Sequence, residues 1–249
     1  MRRLRALRGS AIATLSAAGI AVSATAVSAG PVLIELFTSQ GCSSCPPADA
    51  YLGELVERDD VVALSLPVDY WNYLGWEDTF GKAAHSDRQR AYAEERGDGM
   101  VYTPQMVVNG RWHVVGSDRA AVENAIAAAE DLPSVDIAIN RDDEGLRVEI
   151  PAAVDGDQNW GTVWLVMFDD AETVDIGRGE NAGRTVTYHH IVLEMNRLTM
   201  WRGDAMSIEL PMMELHDLGA DGCAVLLQQD GSDGLPGPII GAAVYEYDN

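Results

Sequence analysis

Two apolar runs near the beginning of the chain flank a segment with helical periodicity. Residues 32–37 and 61–66 are almost continuously apolar, as expected of strands that are buried on both faces of a parallel sheet. Between them the apolar residues recur at helical spacing, which indicates one buried helix face: Ala48, Tyr51, Leu52, Leu55 and Val56. The pattern therefore predicts the order strand, helix, strand.

The pattern between residues 85 and 129 adds two helices and a hairpin. A polar helix is predicted over residues 85–96. The strands predicted over 105–108 and 112–115 flank Asn109-Gly110, and this dipeptide between apolar runs is the strongest short-range hairpin signal. An alanine-rich helix over 120–129 follows. The order strand–helix–strand, helix, strand–strand–helix is that of a thioredoxin-like domain.

Beyond Pro133 the pattern changes to short alternating segments with Gly and Asp in the turns, and no long helix is predicted. Seven strands are predicted, over residues 135–140, 146–150, 163–168, 185–193, 207–210, 224–228 and 239–245. Many short strands with regular turn signals favour a β-sandwich. The predicted fold class is an α/β thioredoxin-like domain over residues 31–132, followed by an all-β sandwich-like domain over residues 133–249.

The first 29 residues have the layout of a secretory signal peptide. Four arginines precede a weakly apolar stretch over residues 10–27, and Val27-Ser28-Ala29 forms a small-x-small cleavage site. An uncleaved anchor is the alternative, but the stretch is less apolar than the about 20 residues of a membrane span. We expect a secreted, periplasmic protein without stable membrane association after cleavage.

The charge balance is strongly acidic and limits the partners. The chain has 17 basic and 39 acidic residues, a net charge of −22, and the predicted cleavage would remove four arginines. Such a surface repels phosphate backbones and anionic lipids, so nucleic-acid binding is not expected. A solvated acidic coat is the plainer interpretation.

Two of the three cysteines, Cys42 and Cys45, lie at the junction between the first predicted strand and the first predicted helix. A thioredoxin-type fold places its redox pair there. Free backbone N–H groups and the dipole of a helix N-terminus stabilise a thiolate, and such settings lower a thiol pKa to roughly 3.5–7.5. We therefore predict a redox-active disulfide, with Cys42 as the nucleophile and Cys45 as the resolving cysteine, and no other cofactor.

The same two thiols leave other functions open. Thiolates and thioethers favour Cu(I), and Met100 and Met106 flank Thr103-Pro104. A Cu(I) metallochaperone or a partner-binding protein is therefore the alternative function. A thiol peroxidase and a purely structural disulfide also stay open. The third cysteine, Cys223, lies in a predicted interior strand, and we expect a buried, inert thiol.

Four motifs resemble those of a family of secreted bacterial thioredoxin-like proteins known as domain of unknown function 1223. They are ELFTSQGCSSCPPAD at 35–49, VDYWNYLGW at 68–76, YTPQ at 102–105 and GENAGR at 179–184. The resemblance covers nearly all of the chain after residue 29. It implies a thioredoxin-like fold but little about mechanism, because the activity of the family is unsettled.

The wider thioredoxin pattern implies roles for three further residues. The Thr103–Pro104 bond is expected to be cis and to face the cysteines, so that the backbone of Thr103 meets an extended substrate; a trans proline is the alternative. Glu35, an acid inside an apolar strand, is expected to carry a proton for Cys45. Burial of such a group is costly unless it is paired or protonated, so a Glu that meets an arginine or leans to solvent is the alternative.

The aromatic loop after the second strand supplies two candidate substrate-binding residues, Trp71 and Trp76, although such side chains more often cover a core. Glu180, Asn181 and Arg184 either pin their own loop or line the interface between the two domains. The predicted activity is that of a thiol–disulfide oxidoreductase acting on protein or small-molecule thiols. The β domain would recognise a partner or cover the site.

Overall fold

The computed structural model describes residues 30–142, 145–153, 160–212 and 219–247. The signal peptide predicted over residues 1–29 lies outside these ranges. The helices are α1 (Pro46–Leu55), α2 (Ala83–Glu95) and α3 (Arg119–Glu130). The strands are β1 (Val32–Thr38), β2 (Val61–Pro67), β3 (Gln105–Val108), β4 (Trp112–Val115), β5 (Ala138–Arg141), β6 (Gly145–Ile150), β7 (Gly161–Asp175), β8 (Thr185–Trp201), β9 (Met206–Pro211), β10 (Gly222–Asp230) and β11 (Pro236–Glu246). None of the helices in these ranges combines the length and apolarity needed to cross a bilayer.

One mixed sheet runs through both halves of the chain. Its strand order is β11-β10-β7-β8-β2-β1-β3-β4, and a separate three-stranded sheet has the order β5-β6-β9. The connection between the halves is the parallel pairing of β2 with β8, in which Ser65 lies opposite Ile191. The predicted fold class is therefore wrong. The described chain is mostly β, and it is not a thioredoxin-like α/β domain followed by a β-sandwich.

The strands predicted from the sequence are present, and their pairing and length explain the correction. Strand β2 is buried along its whole length, so both of its edges need a hydrogen-bonding neighbour. Strand β1 covers one edge, and β8 covers part of the other. Strands β7 and β8 have 15 and 17 residues and are much longer than the predicted 163–168 and 185–193. The local pattern shows that a strand exists but not which distant strand it joins.

The hydrophobic core also joins the two halves. One buried cluster takes Leu33 and Phe37 from β1, together with Phe168 from β7 and Leu226 from β10. The backbone N–H of Ile239 in β11 donates to the carbonyl of the β3–β4 turn at Asn109, at 2.9 Å. The large sheet therefore curls until its C-terminal strands face β1 and the hairpin.

The other two clusters lie outside this shared core. Helices α1 and α3 pack on the opposite face of β1, where Ile34 and Leu36 meet Leu52 and Ile126. The three-stranded sheet packs on β7 and β10. Helix α1 also passes close to β8, because a Cβ atom at Gly53 would lie 2.8 Å from the ring of His189. Helix α1 is thus enclosed by β1 on one side and β8 on the other.

Candidate disulfide site

Cys42 and Cys45 form a disulfide in the turn between β1 and α1, with their Cα atoms 5.5 Å apart. The turn is held by backbone hydrogen bonds from Cys42 to the carbonyl of Ser39, at 3.0 Å, and from Cys45 to the carbonyl of Cys42, at 3.2 Å. Cys45 is the N-cap residue of α1, and Pro46 begins the helix. The pairing of the two cysteines is confirmed, but Cys45, the predicted resolving cysteine, occupies the helix N-terminus instead of Cys42, the predicted nucleophile.

The two cysteines differ in their access to solvent. Cys45 is fully buried, whereas Cys42 keeps 5% of its surface exposed. Ser43 and Ser44 between them are exposed. The hydroxyl of Ser44 lies 3.3 Å from Cys42 Sγ and donates to the carbonyl of Thr103 at 3.4 Å. The exposed side of the bond is therefore the Cys42 side, and it borders the backbone of Thr103.

The segment around Pro104 lies against the disulfide turn. The Thr103–Pro104 peptide bond is cis, as predicted. The indole N–H of Trp71 donates to Oγ1 of Thr103 at 2.8 Å. The ring of Tyr73, which is 77% exposed, stacks on Trp71 with 6.3 Å between the ring centroids. The site thus carries an exposed aromatic surface beside Thr103.

Trp76 has a different position from Trp71. Its indole N–H donates to Oε1 of Gln40 at 2.8 Å, just before the disulfide turn. Gln40 is itself fully buried. Trp76 therefore supports the turn, and the assignment of both tryptophans to substrate binding stays a prediction.

Glu35 is fully buried in a network with helix α2. Its Oε1 accepts a hydrogen bond from Arg88 Nε at 2.5 Å, and its Oε2 accepts one from the Tyr92 hydroxyl at 2.6 Å. Arg88 also donates to Gln228 of β10, at 3.2 Å. The structure therefore contains the predicted alternative for Glu35, in which an arginine pairs with the carboxylate. The network lies on the face of β1 that packs against α2, opposite the face that packs against α1.

A second buried acid, Asp49, lies on α1 four residues after Cys45. Its Oδ1 accepts a hydrogen bond from the hydroxyl of Thr38 at 2.6 Å, and its Oδ2 has no hydrogen-bond partner within the described part of the chain. Burial raises the pKa of Asp49 to about 8; the bond from Thr38 opposes the rise, and the nearby charge of Asp78 adds to it. Asp49 is not among the candidate site residues predicted from the sequence. The available signal was the helical spacing, which places Asp49 one turn after Cys45.

Asp78 and Tyr188 lie close enough to Asp49 for their charges to interact, and Asp78 is hydrogen-bonded to Gln40 just before the disulfide turn. Asp78 accepts backbone hydrogen bonds from Gln40 at 2.7 Å and from Phe80 at 2.9 Å. Burial raises the pKa of Asp78, and these N–H groups oppose the rise. Burial raises the pKa of the Tyr188 hydroxyl, and the charges of Asp49 and Asp78 raise it further. We call Asp49, Asp78 and Tyr188 the acidic pocket.

Asn181, in the loop between β7 and β8, clamps the disulfide turn. Its side-chain NH2 group donates to the carbonyls of Gln40, at 2.9 Å, and of Cys42, at 2.8 Å. The residue is only 1% exposed, whereas its neighbours Glu180 and Arg184 lie at the surface. The two roles predicted for this loop were to pin the loop itself or to line an interface. Asn181 contacts the disulfide turn rather than its own loop. The disulfide site is therefore built from both halves of the chain.

The two methionines that flank Thr103-Pro104 and the third cysteine differ in their exposure to solvent. Met106 is buried in the cluster beneath α1, and Met100 is 60% exposed. Cys223 is a buried free cysteine, and burial raises its pKa to about 11. Within the described ranges, no group of three or more His, Cys, Asp or Glu side chains is arranged to hold a metal ion.

A family model and a solved structure each match most of the chain. The family described as "Protein of unknown function (DUF1223)" matches residues 33–228. A protein of Agrobacterium tumefaciens with a crystal structure is 35% identical, with a TM-score of 0.77, over 88% of this chain and 95% of that one.

A more distant structure, HBP35 of Porphyromonas gingivalis, is 13% identical with a TM-score of 0.56, over 88% of this chain and 76% of that one, and it shares the fold alone. No curated protein is significantly similar to the chain. The extent of the family match and the identity to the Agrobacterium protein settle the membership, and the chain belongs to the DUF1223 family.

Proposed function

We propose that the chain is an exported thiol–disulfide oxidoreductase whose Cys42–Cys45 bond exchanges with the thiols of proteins or small molecules. The supporting observation is the asymmetry of the bond. Cys45 is sealed from solvent, whereas the Cys42 side borders exposed serines and the Thr103 carbonyl. A purely structural bond in so short a loop would add little stability by the chain-entropy argument.

The asymmetry of the bond supports the following order of exchange steps. The thiolate of a partner attacks Cys42 Sγ, the bond to Cys45 breaks, and its electron pair leaves on Cys45 Sγ. The resulting mixed disulfide joins the partner to Cys42. In the opposite direction, the Cys45 thiolate attacks Cys42 Sγ and releases the partner as a thiolate. The aromatic surface of Trp71 and Tyr73 is the proposed contact for the partner's neighbouring side chains.

Export is part of the proposal, because disulfides persist in oxidising compartments. The basic start, the weakly apolar stretch and the Val27-Ser28-Ala29 site support a cleaved signal peptide. We expect the protein recovered from the periplasmic fraction to begin at Gly30, as determined by N-terminal sequencing. Recovery of a chain that begins at Met1 in the cytoplasmic fraction would contradict this part of the proposal.

A redox titration tests the exchange activity directly. The protein lacking residues 1–29 is equilibrated in glutathione buffers of graded potential, alkylated and analysed by mass spectrometry. We expect one two-electron transition, a glutathione adduct on Cys42 in the Cys45→Ser variant, and no adduct on Cys45 in Cys42→Ser. Cys223→Ser is the matched control and should titrate as the unmodified protein does. A Cys45→Ser variant without adducts would refute the proposal.

The Cu(I) alternative is tested with the same protein samples. Thiolates are good ligands for Cu(I), so the reduced protein is titrated with the metal against a competing chelator. Binding of one Cu(I) per chain that depends on both cysteines, combined with slow exchange with glutathione, would replace the oxidoreductase proposal. Fast exchange with glutathione, together with failure of the protein to take Cu(I) from the chelator, would support the oxidoreductase proposal.

A further inference from the structure

We propose that Asp49 is the proton carrier of the disulfide centre, giving a proton to Cys45 when the bond opens and taking it back when the bond closes. This inference rests on the proposed function and replaces Glu35 in that role. The first observation is position. Asp49 lies one helical turn after Cys45, so the two side chains share one face of α1, and the Asp49 N–H donates to the Cys45 carbonyl at 3.1 Å.

The second observation is an unpaired oxygen. Buried side-chain oxygens in proteins nearly always have a hydrogen-bond partner, and the exceptions call for an explanation. The Thr38 hydroxyl donates to Oδ1 of Asp49, while the buried Oδ2 has no hydrogen-bond partner among the residues that the structure describes. Both oxygens of Glu35, in contrast, are occupied by Arg88 and Tyr92. Asp49 is therefore the buried acid on the α1 side of β1 with an oxygen free to hold and release a proton.

The groups that face Asp49 favour its neutral form. Asp78 contributes a like charge, and Tyr188 of β8 an uncharged hydroxyl. Strand β2 contributes no titratable side chain to this face. The other charged or titratable groups around α1 are engaged elsewhere: His189 of β8 packs over Gly53, Glu35 pairs with Arg88, and Glu123 and Arg119 of α3 bind Tyr51 and Glu54.

The chemistry requires a proton at this place. When a partner thiolate attacks Cys42 Sγ, the departing Cys45 sulfur carries negative charge in a fully buried position. An unpaired buried charge is costly, so a proton supplied inside the protein lowers the barrier to departure. The proton moves from Asp49 to Cys45 Sγ, which leaves a carboxylate and a thiol. In the closing direction, the carboxylate takes that proton as Cys45 Sγ attacks Cys42 Sγ and the partner leaves with the electron pair.

The test is the pH dependence of disulfide reduction by dithiothreitol, measured by rapid quenching and corrected for the thiolate fraction of the reagent. One thiol of the reagent forms the mixed disulfide on Cys42, and its second thiol closes the oxidised ring and releases Cys42. For the unmodified protein we expect the corrected rate to fall as the pH rises through about 8, where Asp49 loses its proton. In Asp49→Asn the inflection should vanish, and the rate below neutral pH should drop by roughly tenfold or more.

Two further variants separate a proton carrier from a merely structural acid. Thr38→Val removes the hydrogen bond that favours the carboxylate, so the inflection should move to higher pH with the rate on the acidic side preserved. Glu54→Gln alters an exposed acid on the same helix and should reproduce the unmodified profile. An inflection retained in Asp49→Asn, or unmoved in Thr38→Val, would overturn the assignment.

A readout without turnover distinguishes failure of this inference from failure of the proposed function. Carbon-13 NMR of the Asp49 carboxyl follows its titration in the oxidised and the reduced protein. We expect the pKa of Asp49 to differ between the two states, because a Cys45 thiol replaces the disulfide beside it. Equal pKa values would overturn the coupling even if exchange occurs. Absence of exchange in the unmodified protein would instead refute the function.

Discussion

Two buried carboxyl groups, Glu35 and Asp49, lie on opposite sides of β1 in very different surroundings. The Glu35 network matches the acid with a guanidinium and a hydroxyl, so the carboxylate can stay charged without solvent. Asp49 has one hydroxyl donor, Thr38, and a second acid, Asp78, as neighbours, and there burial favours the protonated form. The comparison teaches that burial alone does not identify a functional acid; the partners of its two oxygens do.

The largest effect is expected from breaking the Glu35 network. Arg88→Met would leave Glu35 buried without its cation, and removing one member of a buried ion pair costs about 3–5 kcal/mol. Urea unfolding at neutral pH measures the loss. The double variant Glu35→Leu/Arg88→Met should recover most of it, because no unpaired charge remains. A loss in Arg88→Met no larger than that of an exposed substitution would show that the pair does not hold the charge of Glu35.

The acidic pocket should make stability depend on pH in the opposite sense to a paired carboxylate. Asp49 keeps its proton in the folded state up to pH about 8, whereas in the unfolded chain it loses the proton near 3.8. Between these values the folded state binds more protons, so the free energy of unfolding falls as pH rises, by about 1.4 kcal/mol per pH unit. Asp49→Asn removes this contribution.

Urea unfolding at several pH values between about 5 and 7 checks this prediction. Across that interval the unmodified protein should lose about 2–3 kcal/mol relative to Asp49→Asn. The difference between the two proteins isolates Asp49, since the other titrating groups are common to both. Parallel curves would mean that Asp49 is ionised in the folded state, and the contrast with Glu35 would disappear.

The clamp on the disulfide turn should give a smaller change in stability. Asn181→Ala removes both donors to the carbonyls of Gln40 and Cys42, and a buried polar group left without a partner costs about 1–3 kcal/mol. We expect a loss at the lower end of that range and faster reduction of the disulfide, because the turn is less restrained. Glu180→Gln, in the same loop but exposed, is the control. Reduction at an unchanged rate would show that the clamp does not govern access to the bond.

The smallest effect is expected from Glu54→Gln, which supplies a third kind of acid for the comparison. Glu54 lies on α1 like Asp49, but it is exposed and paired with Arg119 in solvent. Exposed ion pairs add little to stability. Urea unfolding should therefore give the same curve for this variant as for the unmodified protein at every pH. A large change would indicate that α1 itself, rather than the acidic pocket, responds to the loss of an acid.

Local features of this molecule were predictable from the sequence, whereas long-range pairings were not. The apolar runs located β1 and β2, Asn109-Gly110 located the hairpin, and the cysteine spacing located the disulfide. The position of β8 beside β2 depends on a contact between residues far apart in the chain, and local periodicity carries no information about such a partner. The same limit applies to the clamp by Asn181.

The two buried acids show this limit within the site. An acid inside an apolar strand is conspicuous, so a functional role was predicted for Glu35. The structure contains the alternative that was predicted beside it, an ion pair with an arginine. Asp49 follows two prolines at the beginning of a helix, where an acid is ordinary because it complements the helix dipole. Only the enclosure of α1 between β1 and β8 makes that position dry, and this enclosure comes from the tertiary fold.

The pairing of β8 with β2 has a consequence for protein engineering. A fragment ending near residue 132 would present an uncovered edge of β2 and half of a shared core, and exposed edges of this kind promote aggregation. Grafting the disulfide turn onto another scaffold would also leave behind the amide that anchors it. The disulfide turn therefore cannot be transferred on its own, because the C-terminal half of the chain supplies both the strand that covers β2 and the side chain that holds the turn.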